Sequence, residues 1–363
     1  MVTVVRLEGD VDDRVGRRID RPGHGHDLAA GDQPDTRPWS RGFDESCGLM
    51  YSNDMWEFHP EDPVGWGKFP LKFWENGEVK VPRVTKEHQP MLTTWYTEHA
   101  TSFIDRHKDE PFFLYVPHNM PHVPLFVSDK HAGKSGAGLY GDVIMEIDWS
   151  VGQIMAALDR NKLTNDTIVI ITSDNGPWTS YGNHAGSTPF REAKGTSFEG
   201  GTRSACIVRY PKQIKAGTTS NKAWCSVDIL PTLCRLTGAK LPSYAIDGHD
   251  VWDLIRGAKG AKNPAEYYAF TTGAVFEGIM TGDGRWKLHV PHGYRHLMTP
   301  GHDGSAGKFD QWKIGLSLYD LENDPKETTE VGDKHPGVRA RLLAIAERHR
   351  AEFHPGMAGF VKA

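Results

Sequence analysis

Thr167-Ile168-Val169-Ile170-Ile171-Thr172 is an unbroken, largely β-branched run, and Ser173-Asp174-Asn175-Gly176 follows it directly. A run with no polar alternation fits a strand covered on both faces, as in a parallel sheet. Upstream, Phe112-Phe113-Leu114-Tyr115-Val116 lies between Pro111 and Pro117 and reads as a second buried strand. Between the two, Ile144, Ile147, Val151, Ile154 and Leu158 recur at spacings of 3, 4, 3 and 4, which predicts an amphipathic helix over 140–160. Strand, helix, strand in this order is a βαβ unit. The expected fold is therefore α/β, with helices flanking a mixed, mostly parallel central sheet.

Further out, residues 91–106 predict a helix, and the aromatic, proline-rich stretch 42–90 reads as an ordered surface excursion. Residues 1–40 are rich in Asp, Arg and Gly without periodicity, so loose packing is expected there. Downstream, a strand is expected over 204–210, a helix over 228–236 and a turn with a short helix over 244–257. Short strands then follow at 267–272, 276–281, 286–290 and 316–321, separated by turns such as Gly282-Asp283-Gly284. A terminal helix enters at Pro336 with Val338, Leu342 and Ile345 on one face. The expected organisation is an atypical segment 1–40, an α/β domain 41–262, and a smaller domain 263–363 of antiparallel sheet plus one helix.

Composition excludes several function classes. A net charge of −5 with no clustered basic face leaves nucleic-acid binding without support. No apolar stretch approaches the roughly 18–20 residues of a membrane span. The four cysteines show no C-x-x-C spacing, so neither a zinc knot nor a disulfide scaffold is indicated. Residues 2–20 contain no apolar core of a secretory leader.

Three features could carry chemistry. Asp174-Asn175 stands at the carboxyl end of a strand, where open α/β sheets bind ligands, and a carboxylate beside a carboxamide suits a hard cation such as Ca²⁺ or Mg²⁺. Alone, Asp-Asn-Gly reads first as a turn. His118 and His122 are four apart, but Pro117, Pro121 and Pro124 forbid the helix that would pair them on zinc. What remains is an imidazole on a stiff loop, suited to acid or base work or simply solvated. The third is the text 191–203 around Lys194-Gly195, where glycine lets backbone approach an anion and the ammonium supplies charge. It lacks the P-loop pattern, and a solvated turn with ion pairs is its alternative.

Together these features resemble the sulfatase family, specifically the arylsulfatase-A-like branch of the alkaline phosphatase superfamily. The matching text is F-F-L-Y-V-P-H-N-M-P-H-V-P, I-V-I-I-T-S-D-N-G-P-W, S-Y-G-N-H-A-G, K-G-T-S-F-E-G-G-T-R, D-I-L-P-T-L, R-W-K-L-H and L-Y-D-L-E-N-D-P-K-E, in order, between about residues 41 and 353. The resemblance implies hydrolysis of a sulfate ester to alcohol and sulfate. It implies Asp174 and Asn175 as ligands of Ca²⁺, with Mg²⁺ the second hard cation, and His122 as the group that contacts sulfate and protonates the leaving alkoxide. Lys194 is implied to bind sulfate oxygens. His118, Asn183 and His184 receive substrate-side roles, Glu199 and Arg203 brace the Lys194 turn, and Asp228 is scaffold. The implied partner is a sulfated small molecule or sulfated sugar, and the implied setting of the intact family member is periplasmic or secreted.

One part of the family pattern is missing. Its nucleophile is a cysteine in C-x-P-S-R or C-x-P-x-R, converted to formylglycine, and none of Cys47, Cys206, Cys225 and Cys234 stands in such text. The paired acids have only Asp12-Asp13 as a candidate, and Gly23-His24-Gly25-His26 lacks the lysine of the family's G-K-x-H-x-G segment. The expectation is an amino-terminally incomplete arylsulfatase, inactive on its own. The alternative is a non-catalytic relative that binds sulfated glycans or other anions. Phosphoester hydrolysis is disfavoured, because the K-G-x-x-x-E-G-G-x-R text is the sulfatase form.

Overall fold

The computed structural model describes residues 2–6, 33, 34, 36–357, 359 and 360, with backbone only for 2–6. Asp12-Asp13 and Gly23-His24-Gly25-His26 lie outside the described residues. In chain order the first strands are β1 (Val2–Arg6), β2 (Cys47–Leu49), β3 (Phe73–Glu75), β4 (Glu78–Val81), β5 (Phe113–Val116), β6 (Thr167–Thr172) and β7 (Cys206–Arg209). The helices among and after them are α1 (Pro63–Trp66), α2 (Leu92–Arg106), α3 (Gly138–Arg160), α4 (Glu199–Thr202), α5 (Ile229–Thr237) and α6 (Trp252–Ile255).

The central sheet has the order β5-β1-β6-β7, and every neighbouring pair is antiparallel. The expected mostly parallel sheet is thus corrected. β5 and β6 do run the same way, as a helical crossover requires, but β1 fills the slot between them in the opposite sense. Local spacing could not reveal a partner more than a hundred residues away. Thr167, Ile168, Val169 and Ile170 of β6 are all buried, as a run without alternation demands.

α2 buries Leu92, Tyr96, Ala100 and Ile104, four residues apart, against Ile154, Ala157 and Leu158 of α3. α3 departs from its predicted stripe: Ile144 is 40% exposed, Val143 is buried, and Asp142, Glu146 and Ser150 form a second buried face that is polar. Ser150 receives the Thr97 hydroxyl at 2.6 Å and contacts His118 Nε2 at 3.2 Å, which ties both helices to the loop after β5. The excursion 42–90 contains the sheet β2-β3-β4, packed on α2 through Phe73, whose ring lies 5.0 Å from that of Trp95.

The remaining elements are β8 (Tyr267–Thr272), β9 (Val275–Thr281), β10 (Trp286–His289), β11 (His292–Thr299), β12 (Lys308–Ile314), β13 (Ser317–Asp320) and α7 (Pro336–Phe353). The sheet β13-β10-β9-β8 is antiparallel, and its Phe276, Ile279, Leu288 and Leu318 share one apolar cluster with Leu342, Ile345 and Ala346 of α7. Asp228, fully buried, accepts the backbone N–H groups of Cys225 and His249, both at 2.8 Å, and the Tyr268 hydroxyl at 2.7 Å. It therefore anchors the entry of α5 to β8.

Candidate active site

A cleft of about 1630 Å³ opens where β5 and β6 end. Its walls come from residues 117–123, 173–178, 184–190 and 45–52, with Lys194 reaching in from the loop before α4. His118, His122, Asp174, Asn175, His184 and Lys194, more than seventy residues apart at the extremes, all line it. Asn183 does not: its amide donates to Asp303 Oδ1 and its Oδ1 accepts the Asp303 N–H, both at 2.9 Å, fastening it to the β11–β12 hairpin loop.

The Asp174 loop and the Lys194 loop are interlocked by glycines. Gly176 donates its N–H to Gly201 O at 2.9 Å, and a Cβ on Gly176 would stand 1.8 Å from Gly200 O. Gly200 in turn has no room, since its Cβ would meet Arg191 O at 2.3 Å. Backbone therefore packs on backbone, which no other residue type permits. Gly176→Ala must push the two loops apart, and a loss of about 1–3 kcal/mol in chemical denaturation is expected. An unchanged unfolding midpoint would contradict the interlock.

Asp174 is exposed at the strand end, with the Asn175 amide on its Oδ1 at 2.9 Å. Lys194 donates its backbone N–H to Pro177 O at 3.1 Å and carries Nζ 4.7 Å above the Trp178 ring. The same indole lies 5.3 Å from the His122 ring, so Trp178 is the common wall of the Lys194 and His122 side chains. His122 is set by anchors on either side: Met120 and Val123 are buried with Leu125, Val143 and Tyr181, leaving the imidazole a quarter exposed toward the cleft. Burial first, then the Lys194 ammonium, lowers its pKa, while Asp54 and Asp174 oppose them.

A scan against protein families matches the Sulfatase family over residues 24–239. The chain is 33% identical over 350 residues to arylsulfatase A of Bos taurus, covering 91% of this chain and 68% of that one. It is 34% identical over 268 residues to an N-acetylgalactosamine-6-O-sulfatase of Bacteroides thetaiotaomicron, covering 69% and 49%. The chain belongs to the sulfatase family. It spans about half to two thirds of the length of these curated relatives. The crystal structure of a sulfatase from Pseudoalteromonas sp. superposes with a TM-score of 0.77 at 22% identity, over 90% of this chain and 70% of that one, which shows the α/β sulfatase-like fold.

In this sulfatase-family chain the donors present are right in kind for a hard cation and short in number. Asp174 and Asn175 offer carboxylate and carboxamide oxygens, whereas Ca²⁺ takes about six to eight. Among the described residues no group of three or more His, Cys, Asp or Glu side chains is placed to hold a metal. Cys47 is the cysteine on the cleft wall, and burial, aided by Glu75, pushes its thiol up to about 12. It stays a thiol and is no nucleophile. His118 is neutral as well, since burial pushes its imidazolium down to about 3.

Behind the Lys194 loop lies a buried charge network that the sequence reading missed. Lys287 of β10, 1% exposed, reaches Glu199 Oε1 at 3.1 Å and Glu327 Oε1 at 3.4 Å. Glu327 also accepts from the Glu199 backbone N–H at 2.6 Å and meets His289 Nε2 at 2.8 Å. Arg191 caps the group by donating to Glu327 O at 2.9 Å while stacking 4.2 Å above Phe198. The expected Glu199 and Arg203 pair exists at 3.6 Å, but on the exposed side. The signal was present: Glu199, Lys287 and Glu327 each sit in text that resembles the family, yet only tertiary structure joins them.

Burial makes the fold acid-sensitive at two separate places, at His289 in this network and at His118 after β5. It pushes His289 down to about 4 and His118 to about 3, against an ordinary 6.5. A histidine with a depressed folded value contributes stability that is complete above its unfolded value and is lost as pH falls toward the folded one. For Glu327, burial pushes the carboxyl up, but Lys287 and His289 outweigh it and hold the group below its usual range, so its contribution is lost at still lower pH. Urea unfolding should therefore show stability declining from about pH 6.5 to pH 4. A flat profile over that window would contradict the buried, neutral histidines.

Proposed function

We propose that this cleft serves sulfate ester hydrolysis, R–O–SO₃⁻ plus water giving an alcohol and sulfate, and that the residues in hand form its binding and proton-donating half. The observation that carries the reading is the convergence of Asp174-Asn175, Lys194 and His122 from three separate loops on one cleft against Trp178. Lys194 holds the sulfate oxygens and offsets charge gathering on them in the transition state. His122, protonated at Nε2, hands that proton to the ester oxygen as its bond to sulfur breaks. Asp174 and Asn175 would hold the family's Ca²⁺, which supplies positive charge opposite the sulfate.

The family's formylglycine, when present, supplies the attacking oxygen, and no C-x-P-S-R or C-x-P-x-R text occurs in these 363 residues. By itself the chain is expected to bind an ester without turning it over. A second reading, a non-catalytic binder of sulfated glycans, is supported by the Lys194 ammonium that stands over Trp178 on the cleft wall. Arylsulfatase A and N-acetylgalactosamine-6-O-sulfatase among the relatives point to aryl sulfates and sulfated sugars as the compounds to try.

The test compares aryl sulfate turnover by the chain alone with turnover by a form furnished with a C-x-P-x-R segment carrying formylglycine. Turnover only in the second, dependent on calcium and requiring more of it in Asp174→Ala, is expected. Metal-independent turnover, or none in the furnished form, would sink the hydrolytic reading.

A further inference from the structure

Asp54, a few residues after β2, is 9% exposed, and its Oδ1 is buried without a hydrogen-bond partner. A buried carboxylate needs a counter-charge. Among the described residues its ion-pair partners are two histidines, His59 Nε2 at 3.6 Å and His122 Nδ1 at 4.0 Å. Hydrogen bonding decides which of them carries the charge. His59 Nδ1 accepts the backbone N–H groups of Glu61 at 3.0 Å and Asp62 at 2.9 Å, so it bears no proton. His59 is therefore the neutral Nε2–H tautomer. His122 Nδ1 faces Val123 O at 2.7 Å, an oxygen that only an Nδ1–H can satisfy. Its Nε2 is left for the cleft and for a second proton.

We propose that Asp54 is a positioning residue for the reaction: while Val123 O holds the Nδ1–H edge of His122 inward, the Asp54 carboxylate, braced by neutral His59, supplies the counter-charge that lets Nε2 carry a proton into the cleft. This rests on the reading of His122 as proton donor to the leaving oxygen. The charged groups facing His122 are Lys194, which opposes its protonation, and Asp54 and Asp174, which favour it. Asp174 lies on the exposed cleft side, so Asp54 is the carboxylate that acts from within the protein. Glu61, beyond Asp54, is engaged by the Tyr181 hydroxyl at 3.2 Å. The sequence offered no hint, since Asp54 stands 68 positions before His122 in a turn-rich stretch.

The experiment is calorimetric titration of the full chain with inorganic sulfate from pH 5 to 8 at fixed calcium. Wild-type affinity should fall as pH rises and His122 loses its proton. Asp54→Asn should move that fall to lower pH by about one unit, weakening sulfate roughly fivefold at the wild-type midpoint, and Asp54→Glu should restore it. His122→Ala should abolish the pH-dependent part. If His122→Ala keeps the pH dependence, the role given to His122 fails. If His122→Ala removes it and the Asp54→Asn curve overlies wild type, the role of Asp54 is overturned. Nitrogen-15 histidine spectra of the wild type, with His122 assigned by its loss in His122→Ala, provide a check that needs no Asp54 variant to fold. Neutral His122 should be the Nδ1–H tautomer, and an Nε2–H tautomer would overturn the proposal.

Discussion

Lys287→Met is expected to cost about 3–5 kcal/mol of folding stability, read as a shift of the urea midpoint at unchanged slope. The lysine is enclosed, and its ammonium is the cation shared by Glu199 and Glu327. Methionine fills a similar volume and supplies no charge, so Glu327 would keep only His289 and the Glu199 backbone N–H, and Glu199 only the exposed Arg203. The penalty comes from stranding the carboxylates more than from losing an attraction. Adding Glu199→Gln and Glu327→Gln to Lys287→Met should therefore recover part of the loss. A loss below about 1 kcal/mol for the single variant would mean that water or another cation reaches the network.

Lys194→Ala and His122→Ala are each expected to lower aryl sulfate turnover at least about 10²-fold in the form furnished with formylglycine. Lys194 is held through its backbone and rests on Trp178 without anchoring the core, so its truncation should spare folding and remove charge that matters most in the transition state. His122→Ala should be selective. A proton donor matters most for a poor leaving group, so the variant should lose more on alkyl or sugar sulfates than on a nitrophenyl sulfate. Equal losses on both classes would assign His122 to binding alone, and unchanged turnover in both variants would remove them from the site.

Elements with a strong local period were legible. The run at β6, the aromatic run at β5, the long helix α3 and the terminal helix α7 all stand within a few residues of their expected positions. Strand direction was not, because β1 enters the sheet from the far end of the chain. β2 and β3 were missed because three residues carry no period, and the β11–β12 hairpin because Arg295, Lys308 and Lys313 make it read as loop. At the site, text that resembles a family placed His122, Asp174, Asn175 and Lys194 on one cleft, since such text records residue identity. Asp54 and the Lys287 network went unseen, because what marks them is burial and a partner, neither written in local sequence.

The most direct measurement is calorimetric titration of the full chain with inorganic sulfate in the presence of calcium, beside Lys194→Ala. One site per chain is expected in the wild type, with affinity at least about tenfold weaker in Lys194→Ala while thermal unfolding is unchanged. No binding by the wild type, or equal binding by the two proteins, would contradict a sulfate site at this cleft.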